Sequence, residues 1–244
     1  MSKIALITGA NRGLGLEAGR QLAAQGYTVI LGSRDLEKGQ AAAQTLREGG
    51  ADAHAVQLEV ADAQSVTRAA REVEEKFGHI DALINNAGIS LEYSNGGAVP
   101  PSAISLDVLR QTYETNVFGA FSVLQAFLPL LLKSDAPRVV NVSSTLGSLN
   151  ETSNPDWFFY CVNSAAYNSS KSALNALTIS FAKEYKDTPL KINAACPGWV
   201  RTDMGGESAH RALEEGPRIF VTLATLPADG PTGKFFDENG PVAW

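Results

Sequence analysis

The chain has 244 residues, including two cysteines, and a formal net charge of −6 at pH 7. A chain of this length can form one large α/β domain and bury most of the surface that it exposes when unfolded. Its mildly negative charge, without a basic run, argues against nucleic acid or an anionic membrane as the main partner.

The cysteines and histidines form no metal-ligand motif, because they are scattered along the chain. The N-terminal residues lack the apolar run and cleavage site of a signal peptide. The longest apolar run, residues 126–132, is too short to span a bilayer and contains Pro129. These features predict a soluble, cytoplasmic protein without a metal site.

The first predicted strand leads into a glycine-rich turn. Residues 4–7 form a short apolar run that is typical of a strand buried on both faces. Residues 8–15 follow with the sequence TGANRGLG, and an amphipathic helix is predicted over residues 14–25. This order favours dinucleotide binding, because glycines let the backbone approach a pyrophosphate and the start of the helix offers free N–H groups.

The end of the second predicted strand, residues 28–31, distinguishes between the two nicotinamide dinucleotides. Ser33 and Arg34 follow this strand. In dinucleotide folds an acidic side chain at this place selects a free ribose 2′-hydroxyl, whereas an arginine accommodates a 2′-phosphate. Arg34, with Arg12 as a second cation, therefore favours NADP(H) over NAD(H). Asp35 is predicted to cap the next helix. The preference for NADP(H) would weaken if Asp35 contacted the ribose instead, or if Arg34 were only a solvated charge.

Strands and helices continue to alternate along the chain. Helices are predicted over residues 35–48 and 63–77, and strands over residues 53–58, 82–85 and 191–195. This alternation predicts an α/β fold of the single-domain Rossmann type, with a doubly wound parallel sheet and helices on both faces.

A long helix predicted over residues 165–185 carries Tyr167 and Lys171 one turn apart on one face. A phenol has an ordinary pKa of about 10, and a nearby ammonium favours the phenolate and lowers that pKa. The pair is therefore a candidate proton donor and acceptor. Because the same spacing is common on solvated helices, its meaning depends on the other motifs.

Three motifs together resemble the classical short-chain dehydrogenase/reductase family along the whole chain. They are the glycine turn, the tetrapeptide Asn85-Asn86-Ala87-Gly88 after the fourth strand, and the Tyr167/Lys171 pair. The resemblance implies NADPH or NADP as the cofactor. It also implies the following cofactor-binding residues: Gly9, Asn11, Arg12, Gly13, Leu14, Gly15, Ser33, Arg34, Glu59, Val60, Asn86, Ala87, Gly88, Tyr167, Lys171, Pro197, Gly198, Val200 and Thr202.

The resemblance also implies four catalytic residues. Tyr167 would be the acid, and Lys171 would lower its pKa and hold the nicotinamide ribose. Ser144 would polarise a substrate carbonyl. Ser143 is the competing candidate for this role; otherwise it is simply a hydroxyl at the end of a strand. Asn116 would support a proton relay; the alternative is a polar helix residue with local hydrogen bonds.

The chain departs from the family pattern at two places. Glu59 replaces the aspartate that many relatives carry near the adenine, which leaves that contact open. Ser144 and Tyr167 are farther apart than in many members, so an inserted loop is expected at about residues 146–165. This loop resembles the insertion of the monomeric carbonyl-reductase branch.

A substrate-side segment is expected at about residues 199–230, with a helical stretch around residues 213–216. The resemblance implies that Val200 and Thr202 contact the nicotinamide end of the cofactor. Five side chains could line an apolar substrate cleft or simply pack within their own loops: Trp157, Phe158, Tyr160, Trp199 and Met204.

The sequence thus predicts an NADPH-dependent reductase of aldehyde or ketone carbonyls. A small-molecule carbonyl or alcohol is its expected partner, and a monomer is favoured over a homo-oligomer. Two alternatives stay open: an NAD-linked alcohol dehydrogenase that works oxidatively, and a non-catalytic NADPH-sensing module on the same fold.

Overall fold

The computed structural model describes residues 2–94 and 97–244, without the side chains of residues 93, 94, 97 and 98. Within these residues the strands are β1 (Ile4–Thr8), β2 (Thr28–Ser33), β3 (Ala53–Gln57), β4 (Ala82–Asn85), β5 (Tyr93–Ser94), β6 (Gly97–Ala98), β7 (Arg138–Val142), β8 (Lys191–Ala195), β9 (Phe235–Asp237) and β10 (Gly240–Pro241). Strands β5 and β6 form a separate antiparallel hairpin.

The other eight strands form one sheet in the order β10-β9-β8-β7-β4-β1-β2-β3. All neighbours pair in parallel except β9 and β10. The predicted doubly wound parallel sheet is confirmed, with one short antiparallel strand added at its edge. The strand order reverses at β1 and β4, and in such folds ligands bind beyond the carboxyl ends of the strands at this reversal.

Helices cover both faces of the sheet. They are α1 (Gly13–Ala24), α2 (Leu36–Glu48), α3 (Ala63–Phe77), α4 (Leu106–Tyr113), α5 (Ala120–Leu131), α6 (Leu149–Thr152), α7 (Ala165–Glu184) and α8 (Arg218–Ala224). A π-helical turn, Glu114–Gly119, joins α4 to α5, and a 3-10 turn, Thr145–Gly147, follows β7. One buried cluster joins α1, α2 and α8 to the sheet, and a second joins α3, α5 and α7 to its other face.

Local capping explains where several helices begin. The Asp35 side chain accepts a hydrogen bond from Lys38 N at 3.2 Å, which confirms the predicted cap of α2. Asp62 caps α3 in the same way. The helical stretch expected around residues 213–216 is wrong: these residues form turns, and α8 begins at Arg218 after Pro217. Proline is tolerated at a helix start, where its missing N–H removes no helical bond.

The continuous helical stretch Leu106–Leu131, which contains α4 and α5, is long and apolar enough to cross a membrane by length and composition. Half of its apolar window is buried within the protein. Val123, Leu124 and Phe127 lie in the core against the sheet. Core helices of soluble proteins pass the same test, so this stretch is weak evidence for a membrane span.

Thr8, at the end of β1, fixes the turn that follows β4. Its Oγ1 accepts hydrogen bonds from Asn86 N and Ala87 N, both at 2.9 Å. In return the Asn86 side chain donates to Thr8 O at 2.9 Å and to Gly9 O at 3.2 Å. These bonds hold the glycine turn and the β4 turn together at the carboxyl edge of the sheet.

We expect Thr8→Val to lower the free energy of unfolding by about 1–3 kcal/mol, because the nearly isosteric valine removes the acceptor of Ala87 N and one of the two acceptors of Asn86 N. Thr112→Val is the matched control, since the buried Thr112 hydroxyl donates to Val108 O within its own helix. The control should change stability by less than about 1 kcal/mol. Urea denaturation measures both variants, and equal losses would contradict the role of Thr8.

Candidate active site

Helix α7 brings the predicted Tyr167 and Lys171 side chains together. Lys171 Nζ lies 5.6 Å from the centroid of the Tyr167 ring. The ammonium is buried and donates a hydrogen bond to Val142 O at 2.8 Å, at the carboxyl end of β7. Burial lowers the pKa of Lys171 to about 8, because the charged form loses its hydration. Because this pKa is only slightly above neutral pH, the lysine is mostly charged at pH 7 but loses its charge under mildly alkaline conditions.

The two serines that end β7 have different environments. Ser143 is buried, and its Oγ donates to Asn175 Oδ1 at 2.6 Å, within the contact between β7 and α7. Ser144 is half-buried, and its Oγ accepts a hydrogen bond from Leu146 N at 3.2 Å. Ser144 therefore has the more accessible hydroxyl, whereas the hydroxyl of Ser143 serves the packing of α7.

Asn116 lies on the π-helical turn and is buried. Its side chain donates to Ile89 O at 2.9 Å and to Ser170 Oγ at 3.0 Å, and it accepts from Ile89 N at 2.8 Å. These partners are distant in sequence, so the alternative of purely local hydrogen bonds is wrong. A Cβ added to Gly88 would lie 3.4 Å from both Asn116 Oδ1 and Lys171 Nζ, which places these two side chains beside each other.

Gly147 allows the 3-10 turn after Ser144 to pack directly on α7. A Cβ at this position would lie 2.6 Å from Lys171 Cβ and 2.7 Å from Lys171 C. The carbonyl of Gly147 also accepts a hydrogen bond from Ser172 Oγ at 2.9 Å. Sequence reasoning missed this residue, because nothing local separates it from a glycine in an ordinary turn.

The glycine turn has the features of a phosphate cradle. Gly9 and Gly13 have positive φ angles, 62° and 56°, that other residues rarely adopt. A Cβ on Gly15 would lie 2.5 Å from Asn86 Nδ2, so only glycine fits there. The first turn of α1 has neither an acidic residue nor a side-chain cap. Its N–H groups can therefore meet an anion, and the turn fits a dinucleotide pyrophosphate.

The two residues that were predicted to select NADP(H) at the end of β2, Ser33 and Arg34, differ in their accessibility. Arg34 is exposed at the end of β2. Ser33 is buried, and its Oγ donates to Asp35 O at 2.6 Å. Arg12 is exposed and forms an ion pair with Asp203 of the segment after β8. Of these two arginines, only Arg12 forms an ion pair within the described residues, so the Arg34 guanidinium is available to a phosphate.

The predicted adenine-side residues lie in the loop between β3 and α3. Val60 is buried against Gly119, whose added Cβ would lie 2.9 Å from Val60 Cγ2. Glu59 is half-buried, and its carboxylate accepts from Ala61 N at 3.2 Å. The longer side chain of glutamate therefore folds back onto its own loop.

The segment after β8 is held by Arg211, which sequence reasoning also missed. This buried side chain donates to Pro197 O at 2.7 Å and forms an ion pair with Glu238. It occupies the space beside Gly198, where an added Cβ would lie 2.8 Å from Arg211 Cδ. An isolated parallel β-bridge pairs the backbone of Arg211 with that of Val200. The predicted nicotinamide-end loop is thus fixed by a residue well beyond it in sequence.

The inserted loop contacts this segment through aromatic rings. The Phe159 ring lies 5.5 Å from that of Trp157 and 6.1 Å from that of Trp199, between centroids. Trp199 Nε1 donates to Gly205 O at 2.8 Å. The ring of Phe158 packs edge-on against Phe159, yet the residue is 79% exposed. These rings extend from the insertion to the substrate-side segment.

Comparisons with known proteins establish the family of this chain. The family model described as short chain dehydrogenase matches residues 3–212. The chain belongs to the short-chain dehydrogenase family. It is 35% identical to short-chain dehydrogenase/reductase 1 of Saponaria officinalis, with 97% of this chain and 94% of that protein covered.

Within the short-chain dehydrogenases the chain is similar to the carbonyl-reductase branch. It is 34% identical to bovine carbonyl reductase [NADPH] 1, over 99% of this chain and 98% of that protein. The crystal structure of NADPH-bound carbonyl reductase from chicken fatty liver superposes with a TM-score of 0.86 at 30% identity, covering 100% of this chain and 99% of that one. The predicted family and branch are confirmed.

Proposed function

We propose that this protein reduces aldehyde or ketone carbonyls with NADPH as its cofactor. The observation that carries the proposal is the buried Lys171 ammonium, which lies beside the Tyr167 ring and is bound to the end of β7, the strand that Ser143 and the more accessible Ser144 follow. NADP(H) is supported by Arg34 at the end of β2 and by NADPH in the names of the bovine and chicken relatives. The protein is an NADP-dependent oxidoreductase, and its carbonyl substrate is the new element of the proposal.

In this mechanism the protein binds the carbonyl and supplies a proton. The site would hold NADPH, which would supply the hydride that adds to the carbonyl carbon. Tyr167 donates its phenolic proton to the carbonyl oxygen as general acid. Ser144 donates a hydrogen bond to the same oxygen and stabilises the charge that develops on it.

Lys171 and Asn116 act behind the proton donor. The Lys171 ammonium makes the phenol a stronger acid, because a nearby positive charge favours the phenolate. Asn116 fixes the backbone of Ile89 beside the lysine and supports the return of a proton from solvent. The π-helical turn on which Asn116 lies is a departure from regular helix that often occurs at functional sites.

The cofactor would lie along the carboxyl edge of the sheet. The glycine turn, with Gly9, Gly13 and Gly15, would hold its pyrophosphate. Arg34, joined by Arg12, would bind the 2′-phosphate. The remaining contacts of the proposal are those of the adenine side, the β4 turn and the nicotinamide end: Asn11, Leu14, Ser33, Glu59, Val60, Asn86, Ala87, Gly88, Pro197, Gly198, Val200 and Thr202.

We further propose that residues 1–244 work as one domain, as a monomer in the cytoplasm, on a small molecule rather than on nucleic acid or a membrane. Part of the inserted loop packs on the C-terminal residues, where Asn150 N donates to Trp244 O at 3.0 Å. A loop that is packed in this way needs no second subunit to order it. Light scattering should give the mass of one chain, and a dimer mass would contradict this arrangement.

We expect Tyr167→Phe to lower the turnover of carbonyl reduction by roughly a hundredfold or more, because it removes the proton donor. A panel of aldehydes and ketones, read by NADPH absorbance, first identifies a substrate for the wild-type protein. NADPH binding to the variant, followed by fluorescence, should persist.

Tyr185→Phe is the control for this measurement, because Tyr185 lies at the C-terminal end of α7, at the far end of the helix from Tyr167. Its turnover should stay close to that of the wild type. Unchanged turnover in Tyr167→Phe would reject Tyr167 as the acid. A wild-type protein that binds NADPH but reduces nothing in the panel would instead indicate a cofactor-sensing module.

The pKa of about 8 for Lys171 sets the pH dependence that we expect. Below this pH the lysine is charged and strengthens the phenolic acid; above it the neutral amine no longer does so. The kcat/KM for reduction should therefore fall about tenfold per pH unit on the alkaline side. Steady-state rates between pH 6 and 10 measure this. Lys171→Met should be slow and lack this dependence, whereas a flat wild-type profile would contradict the assignment.

A further inference from the structure

A buried carboxylate from a distant segment caps helix α7. Glu92 is 1% exposed, and its two carboxylate oxygens accept hydrogen bonds from Ala166 N at 2.8 Å and Tyr167 N at 2.6 Å. The first N–H groups of a helix have no acceptor within the helix, and this end carries a partial positive charge. The carboxylate therefore satisfies both the donors and the charge at the start of α7.

This cap differs from those of the other long helices. Asp35, Asp62 and Ser105 each cap the helix that immediately follows them. Glu92 instead reaches α7 from 74 residues upstream of Ala166. A buried carboxylate is costly unless strong hydrogen bonds compensate it. Among the described residues Glu92 forms no ion pair, so the start of α7 provides this compensation.

The segment that carries Glu92 is fixed at its other end by the active site. Asn116 holds both the N–H and the carbonyl of Ile89, and the adjoining Gly88 lies next to Lys171 Nζ. The carbonyl of Glu92 accepts from Val99 N at 2.7 Å, which closes the β5–β6 hairpin. Residues 88–92 therefore form a short brace between Asn116 and the first turn of α7.

We propose that Glu92 is a positioning residue for carbonyl reduction, because it holds the N–H of the very residue that carries the phenol. The brace fixes the backbone of Tyr167 relative to Lys171 and Asn116. The inference rests on the proposed function, since it assigns Glu92 a role in placing the proton donor of that reaction. The carboxylate itself does not contact the substrate or the cofactor in this mechanism.

The test compares Glu92→Gln and Glu92→Ala with Asp81→Ala. Glutamine keeps the shape of the side chain, but only its carbonyl oxygen can accept, so one of the two N–H donors faces an amide NH₂. We expect kcat per NADPH-binding site to fall about ten- to a hundredfold in both Glu92 variants, because small misplacements of a reacting group have effects of this size. The KM for NADPH should change much less than kcat, because the glycine turn and Arg34, which would hold the pyrophosphate and the 2′-phosphate, lie outside the brace.

Asp81→Ala is the matched control, because the Asp81 carboxylate also accepts from a backbone N–H that is distant in sequence, that of Ile4 at 2.7 Å, but at the amino edge of the sheet, opposite the site. It should lower the melting temperature and leave kcat unchanged. The proposal is overturned if the Glu92 variants lose stability in the same way but keep the wild-type kcat. It is also overturned if they lose NADPH binding together with turnover, which would indicate general disruption.

A measurement independent of activity separates this inference from the proposed function. In Glu92→Gln the backbone amides of Ala166 and Tyr167 should exchange their hydrogens faster, as followed by NMR, while amides in the middle of α7 keep their protection. If the wild-type protein reduces no carbonyl, the proposed function fails, and this measurement decides on Glu92. Unchanged exchange at both amides would overturn the brace.

Discussion

The site depends on keeping an ammonium group out of water. Lys171 can be buried because Val142 O accepts its hydrogen bond and because Gly147 lets the turn after β7 pack against the helix backbone. A buried cation in a low-dielectric environment acts strongly on neighbouring groups. Burial therefore has two effects. It lowers the pKa of Lys171, and it strengthens the electrostatic effect of the ammonium on the Tyr167 phenol beside it.

Buried polar side chains, rather than apolar contacts alone, align α7 with the sheet. Asn85 Nδ2 donates to Asn141 Oδ1 at 2.9 Å, and Asn141 Nδ2 donates to Thr178 Oγ1 at 2.9 Å. Ser143 and Asn175 make a further bond of this kind. Such networks specify one arrangement, because any shift leaves buried donors or acceptors unsatisfied. The helix that carries the proton donor is therefore fixed in register against β4 and β7.

Much of the fold could be predicted from the sequence, because its signals are local. Apolar runs, the cap at Asp35 and Gly78, which follows the last residue of α3, appear within a few residues of the elements that they define. The helical spacing of residues 165–185 also predicted Tyr167 and Lys171 as neighbours. Glu92, Gly147 and Arg211 could not be predicted, because each acts on backbone that the chain reaches only after folding. The helix expected around residues 213–216 failed because Pro217 favours a later start.

The contact between Arg12 and Asp203 bears on how a dinucleotide enters the cleft. Both side chains are largely exposed, and such ion pairs contribute at most about 1 kcal/mol. The two loops that they join are each anchored at the base, one through Thr8 and Asn86 and the other through Arg211. The exposed tips of the two loops can therefore separate at little cost in free energy while their anchored ends stay in place. Cofactor exchange would then break this weak surface contact without refolding either loop.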